Sequence, residues 1–313
     1  MINEVIALIN EITARQDGQP KFFHVGSKKI PFDKKFFFPI LPSSIRSVAF
    51  VDGGNAEIIR APHLSVHFVR TYAAVYRGVE RVARQTREAF AVIHLKPDKA
   101  SFVYKADIIG VDCSIPEIDI NDSVLNAGEQ VTPHVVADIV RHCLEWQLLE
   151  LQDADCVVRD GALDECPQDR YRKAKQAAVM QIGVSKTTTA LTDTGVSAPF
   201  FLSQKGPEGA WVYCPEQELF SIGFARLHPL SHRVFRMDVK NGTLPETAGI
   251  LAPYCSDASF VGYPYPLVDA DKMAVITTAE QQYLRQVFSV KCGKLFKQLE
   301  QASDAHDVLN SLH

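Results

Sequence analysis

The stretch Val48-Ala49-Phe50-Val51-Asp52-Gly53-Gly54 joins an uninterrupted apolar run to an acidic residue and two glycines. Four consecutive apolar residues are typical of a strand that is buried on both faces of a sheet. The same design recurs in Cys156-Val157-Val158-Arg159-Asp160-Gly161. The sequence therefore predicts two buried strands, each of which ends in an Asp-Gly pair at the edge of a sheet.

Strand-like and helix-like patterns alternate around these two runs. Further strands are predicted over 56–61, 64–75, 90–95, 101–109, 181–186, 211–215, 219–227 and 232–239. Helices are predicted over 2–14, about 134–151 and about 278–300, followed by a short tail helix, and a further basic helix is predicted to contain Arg170 and Lys175. The segments 28–42 and 114–133 are predicted as loops. This order indicates an α/β fold with extra antiparallel strands and terminal helices.

One elaborated domain is expected over 1–313, because no change of composition marks a linker. Its parts are an N-terminal arm over 1–45, a core over about 46–280 and C-terminal helices over about 278–313.

The composition is that of a globular chain, with 46% hydrophobic and 22% charged residues. A formal net charge of −4 excludes a generally polybasic protein but leaves room for a local basic groove that binds nucleic acid. The seven cysteines form no C-x-x-C pair, so neither a zinc site nor a disulfide framework is expected. No signal peptide or membrane span is predicted, which favours the cytoplasm.

Asp52 and Asp160 are the first candidates for chemistry. A carboxylate held rigidly at the edge of a sheet, with a glycine beside it, can help to bind one or two hard divalent cations. The alternative is that Asp-Gly is simply a common turn dipeptide. The occurrence of the pattern after two of the most apolar runs favours the functional interpretation.

A third carboxylate is expected from the intervening helix, where Glu145 and Glu150 are the candidates. Glu145 lies within the apolar stripe that includes Cys143 and Trp146. An acidic residue on a buried stripe is costly unless it is paired or binds a metal. An ion pair with Arg141, four residues earlier, is the equally weighted alternative.

Basic residues follow the second Asp-Gly pair. Lys186 comes directly after a predicted strand and could stabilise a phosphate, although the glycines of a Walker A loop are absent. A basic predicted helix follows Asp160, where a nucleic-acid backbone would have to run. Its candidate DNA-binding residues are Arg170, Arg172, Lys173 and Lys175.

Several short motifs, in this order, resemble the NurA nuclease family. They are Val48–Gly54, Arg141 with Glu145, Val157–Leu163, Gly183–Lys186 and the run Gly262-Tyr263-Pro264-Tyr265-Pro266-Leu267, which is the most specific. The resemblance covers the chain from about residue 45 to the end. It implies an RNase H-like mixed sheet flanked by helices, hydrolysis of DNA phosphodiesters with two Mn²⁺ or Mg²⁺ ions, and a homodimer. It also implies a partner, the HerA hexameric ATPase, with which the family processes DNA ends.

Site residues follow from the resemblance by position. Asp52, Glu145 and Asp160 resemble the metal-binding acids, and Lys186 resembles the lysine near the scissile phosphate. Asp271 occupies a place where a histidine or an acidic residue of the site is expected.

Roles are also expected for His306, for two tyrosines and for a run of phenylalanines. His306 is a weaker candidate of the same kind as Asp271. Tyr263, with Tyr265, could stack on splayed DNA bases. The Phe36–Phe38 run is expected to pack in the core or in a dimer contact.

The chain departs from the family pattern at both Asp-Gly motifs. Asp-Gly-Gly-Asn and Asp-Gly-Ala-Leu stand where the family usually has Asp-Gly-Ser and Asp-Gly-Ser-Leu. Both carboxylates remain, so catalysis is expected, in DNA repair or in antiviral defence. The alternatives are a non-catalytic adaptor of a HerA complex and, with less support, an ATPase of the actin or sugar-kinase type.

Overall fold

A mixed sheet of 11 strands organises the computed structural model, with a separate sheet of 3 strands beside it. The structure describes residues 1–15, 18, 20–44, 46–99, 101–125, 130–163, 179–215 and 220–302. Within these ranges the strands are β1 (Phe22–Val25), β2 (Lys28–Pro31), β3 (Phe37–Pro39), β4 (Ser47–Ala61), β5 (Leu64–Arg77), β6 (Glu80–Asp98), β7 (Ser101–Ile109), β8 (Ile118–Asp119), β9 (Cys156–Asp160), β10 (Met180–Ser185), β11 (Leu191–Thr192), β12 (Trp211–Tyr213), β13 (Phe220–Arg226) and β14 (Phe235–Lys240).

The helices lie on both faces of the large sheet. In the same ranges they are α1 (Ile2–Arg15), α2 (Pro133–Leu149), α3 (Ala198–Lys205), α4 (Leu244–Leu251), α5 (Tyr265–Ala274), α6 (Thr278–Cys292) and α7 (Lys294–Gln301). None of these helices is long and apolar enough to cross a membrane.

The centre of the large sheet has the strand order β6-β5-β4-β9-β10. The first three of these strands are antiparallel neighbours, whereas β9 runs parallel to β4 and β10 runs parallel to β9. Helix α2 connects the antiparallel part to β9, and strand β14 then pairs with β10 in the antiparallel sense. This arrangement is an RNase H-like core with added antiparallel strands, so the predicted fold class is confirmed.

The apolar run of β4 is buried on both faces, as predicted. Val48 and Phe50 pack in one core cluster with residues of α4 and α5. Ala49 and Val51 face the opposite side, in a cluster with Trp146 of α2. Side chains alternate along a strand, so Asp52 continues the face that Phe50 presents to α5.

The predicted end of this strand at Asp52-Gly53 is wrong. β4 is 15 residues long and continues to Ala61, and Asp52, Gly53 and Gly54 are paired with Tyr72, Thr71 and Arg70 of β5. The two glycines mark places where other groups come close to the strand. A Cβ atom on Gly53 would lie 2.6 Å from Glu145 Oε1, and one on Gly54 would lie 2.5 Å from the carbonyl oxygen of Ala274.

The second motif behaves as predicted, since β9 ends at Asp160. Gly161 follows with a φ of 104°, a conformation that favours glycine. The two Asp-Gly pairs therefore have different structural roles, although they look alike in the sequence.

Other elements differ from the predictions because pairing or packing decides them. β6 begins at Glu80, ten residues before the predicted start, since an exposed polar segment pairs with β5 there. The predicted loop over 28–42 contains β2 and β3, and α3, α4 and α5 have no predicted counterpart. The predicted helix over 278–300 is divided into α6 and α7 at Gly293, which has a φ of 53°.

Candidate active site

Asp52 and Asp160 lie side by side on the adjacent parallel strands β4 and β9. The last pair in their register is Val51 with Arg159, and each aspartate is the next residue along its strand. Both carboxyl groups lie on the α5 face, since Phe50 and Val158 share one core cluster. Neighbouring strands are about 4.8 Å apart, so the two carboxyl groups come close without any loop rearrangement.

The pKa of Asp52 is raised to about 7. Burial is the largest cause, and the negative charges of Glu145, Asp160 and Asp271 add to it. The hydrogen bond that the Gly53 N–H donates to Asp52 Oδ1, at 2.8 Å, acts in the opposite direction. The charges of Glu145, Asp160 and Asp271 therefore all act on the Asp52 carboxyl group.

Glu145 reaches this cluster from α2, past Gly53. Its side chain is only 4% exposed, whereas Glu150 is exposed at the end of the helix, so Glu145 is the residue on the site side. Arg141 Nη1 lies 2.5 Å from Glu145 Oε1 and 3.3 Å from the carbonyl oxygen of Gly53. The ion pair weighed as an alternative is therefore present, and it lies beside Asp52.

Two further groups contact the other oxygen of this carboxylate. Arg159 Nη2 and His142 Nδ1 each lie 3.6 Å from Glu145 Oε2. Burial alone would raise the pKa of Glu145, but Arg141, His142 and Arg159 outweigh it and lower the pKa to about 2. Glu145 is therefore ionised at neutral pH.

Lys186 follows β10 and contacts Asp160. Its Nζ atom lies 2.7 Å from Asp160 Oδ2 and 5.4 Å from the centre of the Tyr263 ring. Burial disfavours the ammonium form, but the hydrogen bond to Asp160 and the charges of Asp160, Asp271 and Asp52 outweigh burial and raise the pKa of Lys186. The lysine is a fixed positive charge at the edge of the acid cluster.

The ring of Tyr263 is wholly buried. This contradicts the prediction that Tyr263 stacks on DNA bases, because no base can reach the ring. Burial raises the pKa of the Tyr263 hydroxyl strongly, and the carboxylates of Asp160, Asp52 and Asp271 raise it further. Tyr263 is therefore a neutral part of the floor of the site.

Asp271 lies on α5 and belongs to the same cluster. Its charge contributes to the raised pKa values of Asp52, Lys186 and Tyr263. Asp271 is therefore within electrostatic reach of these residues, and its role in the site stays a prediction.

A groove of about 460 Å³ runs beside Asp160 and is lined by Lys186, Arg159 and Arg236. Sequence reasoning missed the two arginines. Arg159 is buried, and its guanidinium nitrogens lie 2.9 and 3.0 Å from the two ring nitrogens of His142. The available signal was a charged residue inside an otherwise apolar strand, because such a residue needs a partner.

Asp238 is an acid that sequence reasoning also missed. It is fully buried and accepts two hydrogen bonds from Arg236, at 2.9 and 3.0 Å. It also accepts one from the backbone N–H of Leu163, at 2.7 Å. Asp238 therefore fixes the chain just after Asp160.

Carboxylate oxygens are the ligands that hard divalent cations prefer, and the described acids provide them in a partly buried setting. In the ranges that the structure describes, however, no three carboxylate, imidazole or thiolate groups are placed tightly enough to hold a metal ion. The acids therefore offer the type of ligand that a cation prefers. The Glu145 carboxylate, however, is paired with Arg141 and Arg159.

The remaining predicted residues lie outside the described part of the chain. These are Arg170, Arg172, Lys173, Lys175 and His306.

Solved structures with TM-scores above 0.5 to this chain include two NurA structures. The NurA nuclease from Sulfolobus solfataricus matches with a TM-score of 0.54 and 12% identity, over 93% of this chain and 94% of that chain. The chain has a NurA-like fold. A NurA crystal structure with manganese matches with a TM-score of 0.51 and 8% identity, over 92% of this chain and 97% of that one.

An endonuclease V from Ciona intestinalis, in complex with a DNA that contains inosine, matches with a TM-score of 0.40 and 14% identity, over 92% of this chain and all of that one. No protein-family model matches the sequence, and no curated protein matches it.

Proposed function

We propose that this chain is a divalent-metal-dependent DNA nuclease that hydrolyses phosphodiester bonds. The observation that carries the proposal is the pair of adjacent carboxyl groups, Asp52 and Asp160, with the Lys186 ammonium bound to one of them. The NurA-like fold supports it, since the solved neighbours are nucleases by name.

Asp52, Asp160 and Asp271 would hold the cations, either Mn²⁺ or Mg²⁺. When bound, such cations polarise a phosphodiester and supply an activated water molecule. Without them, three neighbouring carboxylates repel one another and repel a DNA phosphate, which agrees with the raised pKa of Asp52.

The cations of the chain itself position the substrate. Lys186 is fixed by Asp160 and can contact a non-bridging oxygen of the scissile phosphate. Arg159 and Arg236 line the groove beside it, so the phosphodiester backbone would run along this groove.

Glu145 is proposed as the fourth acid of the site. It is ionised, and Arg141 holds it next to the backbone of Gly53. Arg141 is thus a positioning residue that sets where the Glu145 carboxylate lies relative to Asp52.

A HerA-type hexameric ATPase and a second copy of this chain are the proposed protein partners, in DNA repair or antiviral defence. The family resemblance supports both. Exposed apolar side chains give a homodimer additional support, because α1 exposes Ile2, Ile6 and Ile9, and Phe38 and Leu295 are also exposed. Phe36 and Phe37 instead pack against the core, as expected for part of that run.

A non-catalytic adaptor is the second candidate. Two observations favour it. Arg141 and Arg159 neutralise Glu145, and no tight metal-binding group occurs among the described residues. Digestion of linear DNA by the purified chain separates the two proposals. A nuclease digests DNA with Mn²⁺ and stops when EDTA is added, whereas an adaptor leaves the DNA intact under both conditions.

A further inference from the structure

A concentration of positive charge lies in the N-terminal arm. The segment 21–35 contains five lysines and one acidic residue, whereas the whole chain has a formal net charge of −4. All five lysines are exposed, and they are Lys21, Lys28, Lys29, Lys34 and Lys35. This segment, called the basic hairpin below, is therefore a positive surface on an acidic protein.

The core beneath the basic hairpin anchors its backbone. β1 and β2 pair in the antiparallel sense, and the turn between them contains Gly26, which has a φ of 56°. Phe23, Val25 and Ile30 are buried in one core cluster with Trp211 of β12. The backbone that carries the lysines is therefore held in place before any ligand binds, which lowers the entropic cost of binding.

Aromatic rings lie beneath several of the ammonium groups. Three Nζ atoms lie 4.7, 4.9 and 5.0 Å from a ring centre, in the pairs Lys28 over Phe220, Lys29 over Phe22 and Lys35 over Phe36. A ring at this distance attracts a cation without taking up all three of its N–H donors. The one acid of the segment, Asp33, pairs with Lys35 at 3.2 Å, so the segment offers no second carboxylate to the other four lysines.

The chain connects the basic hairpin to the candidate active site. Lys186 and Thr187 line the groove beside Asp160. β11 begins at Leu191, five residues after Lys186, and Leu191 lies opposite His24 of β1. Five residues span at most about 18 Å, whereas one turn of duplex DNA spans about 34 Å. A duplex whose end lies at the acids can therefore also reach the hairpin.

Charge decides which occupant fits this surface. Two copies of the hairpin would repel each other, because each carries five exposed lysines. Duplex DNA, by contrast, carries about one negative charge per 1.7 Å of its length. Lys29 lies opposite His24, three residues after Lys21, so these two lysines are about 10 Å apart along the hairpin. This separation corresponds to about three phosphates of one DNA strand.

We propose that the basic hairpin binds the phosphodiester backbone of duplex DNA, beside the end that is cut. Its contacts are with phosphates, so they add affinity and orient the duplex without selecting a base sequence. This inference rests on the proposed nuclease function and names a second substrate-binding surface, outside the groove at Asp160.

Binding is measured with the full-length protein in EDTA, so that no cleavage occurs. The probe is a fluorescein-labelled duplex of about three helical turns, followed by anisotropy at several salt concentrations. The double variant Lys28→Gln with Lys29→Gln binds the duplex about tenfold more weakly at low salt. The slope of log affinity against log salt concentration becomes about 1.8 less steep, because each lost phosphate contact contributes about 0.9.

A matched control removes the same charge elsewhere. Lys294→Gln with Lys297→Gln, both exposed on α7, changes the affinity for the duplex less than about twofold. A hairpin double variant that matches this control at every salt concentration would overturn the proposal.

Polyglutamate tests the alternative occupant, an acidic protein segment. It is added as an unlabelled competitor at the same concentration of negative charge as unlabelled duplex. We expect it to displace the labelled duplex less well, since its charges are about 3.3 Å apart when extended and those of the duplex about 1.7 Å. If both competitors are equally effective, the surface fits an acidic peptide and the proposal is wrong.

Cleavage in Mn²⁺ separates this inference from the proposed function. Bis(p-nitrophenyl) phosphate is a diester that is small enough to reach the acids without touching the hairpin. The hairpin double variant should cleave it at the wild-type rate, while its KM for the duplex rises about tenfold with kcat nearly unchanged.

The two failures look different. If the wild type cleaves neither substrate, the nuclease proposal fails, and the binding measured in EDTA still decides the role of the hairpin. If the wild type cleaves both substrates and the double variant has an unchanged KM for the duplex, the hairpin inference fails alone.

Discussion

Asp52 and Asp160 are equivalent residues on adjacent parallel strands, each one position beyond the pair formed by Val51 and Arg159. Their sequence separation is large, but the backbone register alone places both carboxyl groups at one level of the sheet. Asp160 also lies opposite Val184 of β10, immediately before Ser185 and Lys186. The central strands therefore bring the two acids together, and Lys186 follows directly after the end of β10.

The first prediction concerns Gly53, where the side chains of Glu145 and Arg141 lie close to the backbone of β4. In Gly53→Ala the new Cβ would lie 2.6 Å from Glu145 Oε1 and 3.0 Å from Arg141 Cγ, so α2 must shift. We expect a loss of about 1–3 kcal/mol in the free energy of unfolding and a loss of activity. Denaturant unfolding measures the first. Gly18→Ala is the control, since its nearest neighbour is at 3.4 Å, and it should change stability by less than about 0.5 kcal/mol.

The Arg141–Glu145 ion pair gives the second prediction. Arg141→Met leaves a buried carboxylate with fewer partners and should lower the free energy of unfolding by about 3 kcal/mol. Glu145→Gln added to this variant should restore much of the loss. The Arg46–Glu246 pair, with side chains 37% and 32% exposed, serves as the control. Arg46→Met should cost less than about 1 kcal/mol, and a similar cost for both arginines would contradict the buried-pair account.

The raised pKa of Asp52 predicts a dependence of stability on pH. In the folded, metal-free protein the pKa of Asp52 is about 7, above its ordinary value of 3.8, so the folded state retains the proton more strongly. This contribution is complete below about pH 4 and is lost as the pH rises through 7, by an amount of the order of 2–4 kcal/mol. His67, with its lowered pKa of about 4, acts in the opposite direction over a similar range.

Comparison with Asp52→Asn isolates the contribution of the aspartate, because His67 is present in both proteins. Melting temperatures in EDTA between pH 4 and pH 7.5 should show that the variant gains stability relative to the wild type as the pH rises. Parallel curves for the two proteins would contradict the raised pKa.

Self-association is the fourth prediction. Light scattering at micromolar concentration should give a mass near twice the 34.8 kDa of one chain. The apolar side chains exposed on α1 provide the physical reason, since a dimer would remove them from water. A mass that stays near 34.8 kDa would show that these side chains do not support a dimer.

The sequence predicted the buried centre of the sheet well, since an apolar run such as Val48–Val51 needs cover on both faces. It did not predict that β4 continues through Gly53 and Gly54. Two glycines indicate a turn locally, and only pairing with β5 and the close approach of Glu145 explain their place in a strand. The exposed first half of β6 has no apolar alternation, so its strand structure depends on the neighbouring β5.

Residues of the candidate site could be predicted where a charged side chain lies in an apolar segment, because burying an unpaired charge costs free energy. Glu145 was a candidate because it lies on a buried stripe, and its two interpretations, ion pair and site residue, turn out to be compatible. Arg159 and Asp238 are also charged residues within buried strands, so the same argument applied to them, but they were missed. Tyr263 was assigned from its motif alone, and its burial could not be inferred from the local sequence.

The central claim is that Asp52 and Asp160 form one cation-binding site for DNA cleavage, and Asp160→Asn tests it most directly. The substitution preserves the shape of the side chain and removes its charge. Digestion of linear DNA in Mn²⁺ should be abolished, while the melting temperature in EDTA stays the same or rises because one repelling carboxylate is gone. Asp98→Asn, at an exposed strand end, is the control and should cleave at the wild-type rate. A folded Asp160→Asn protein that digests DNA at nearly the wild-type rate would contradict the account.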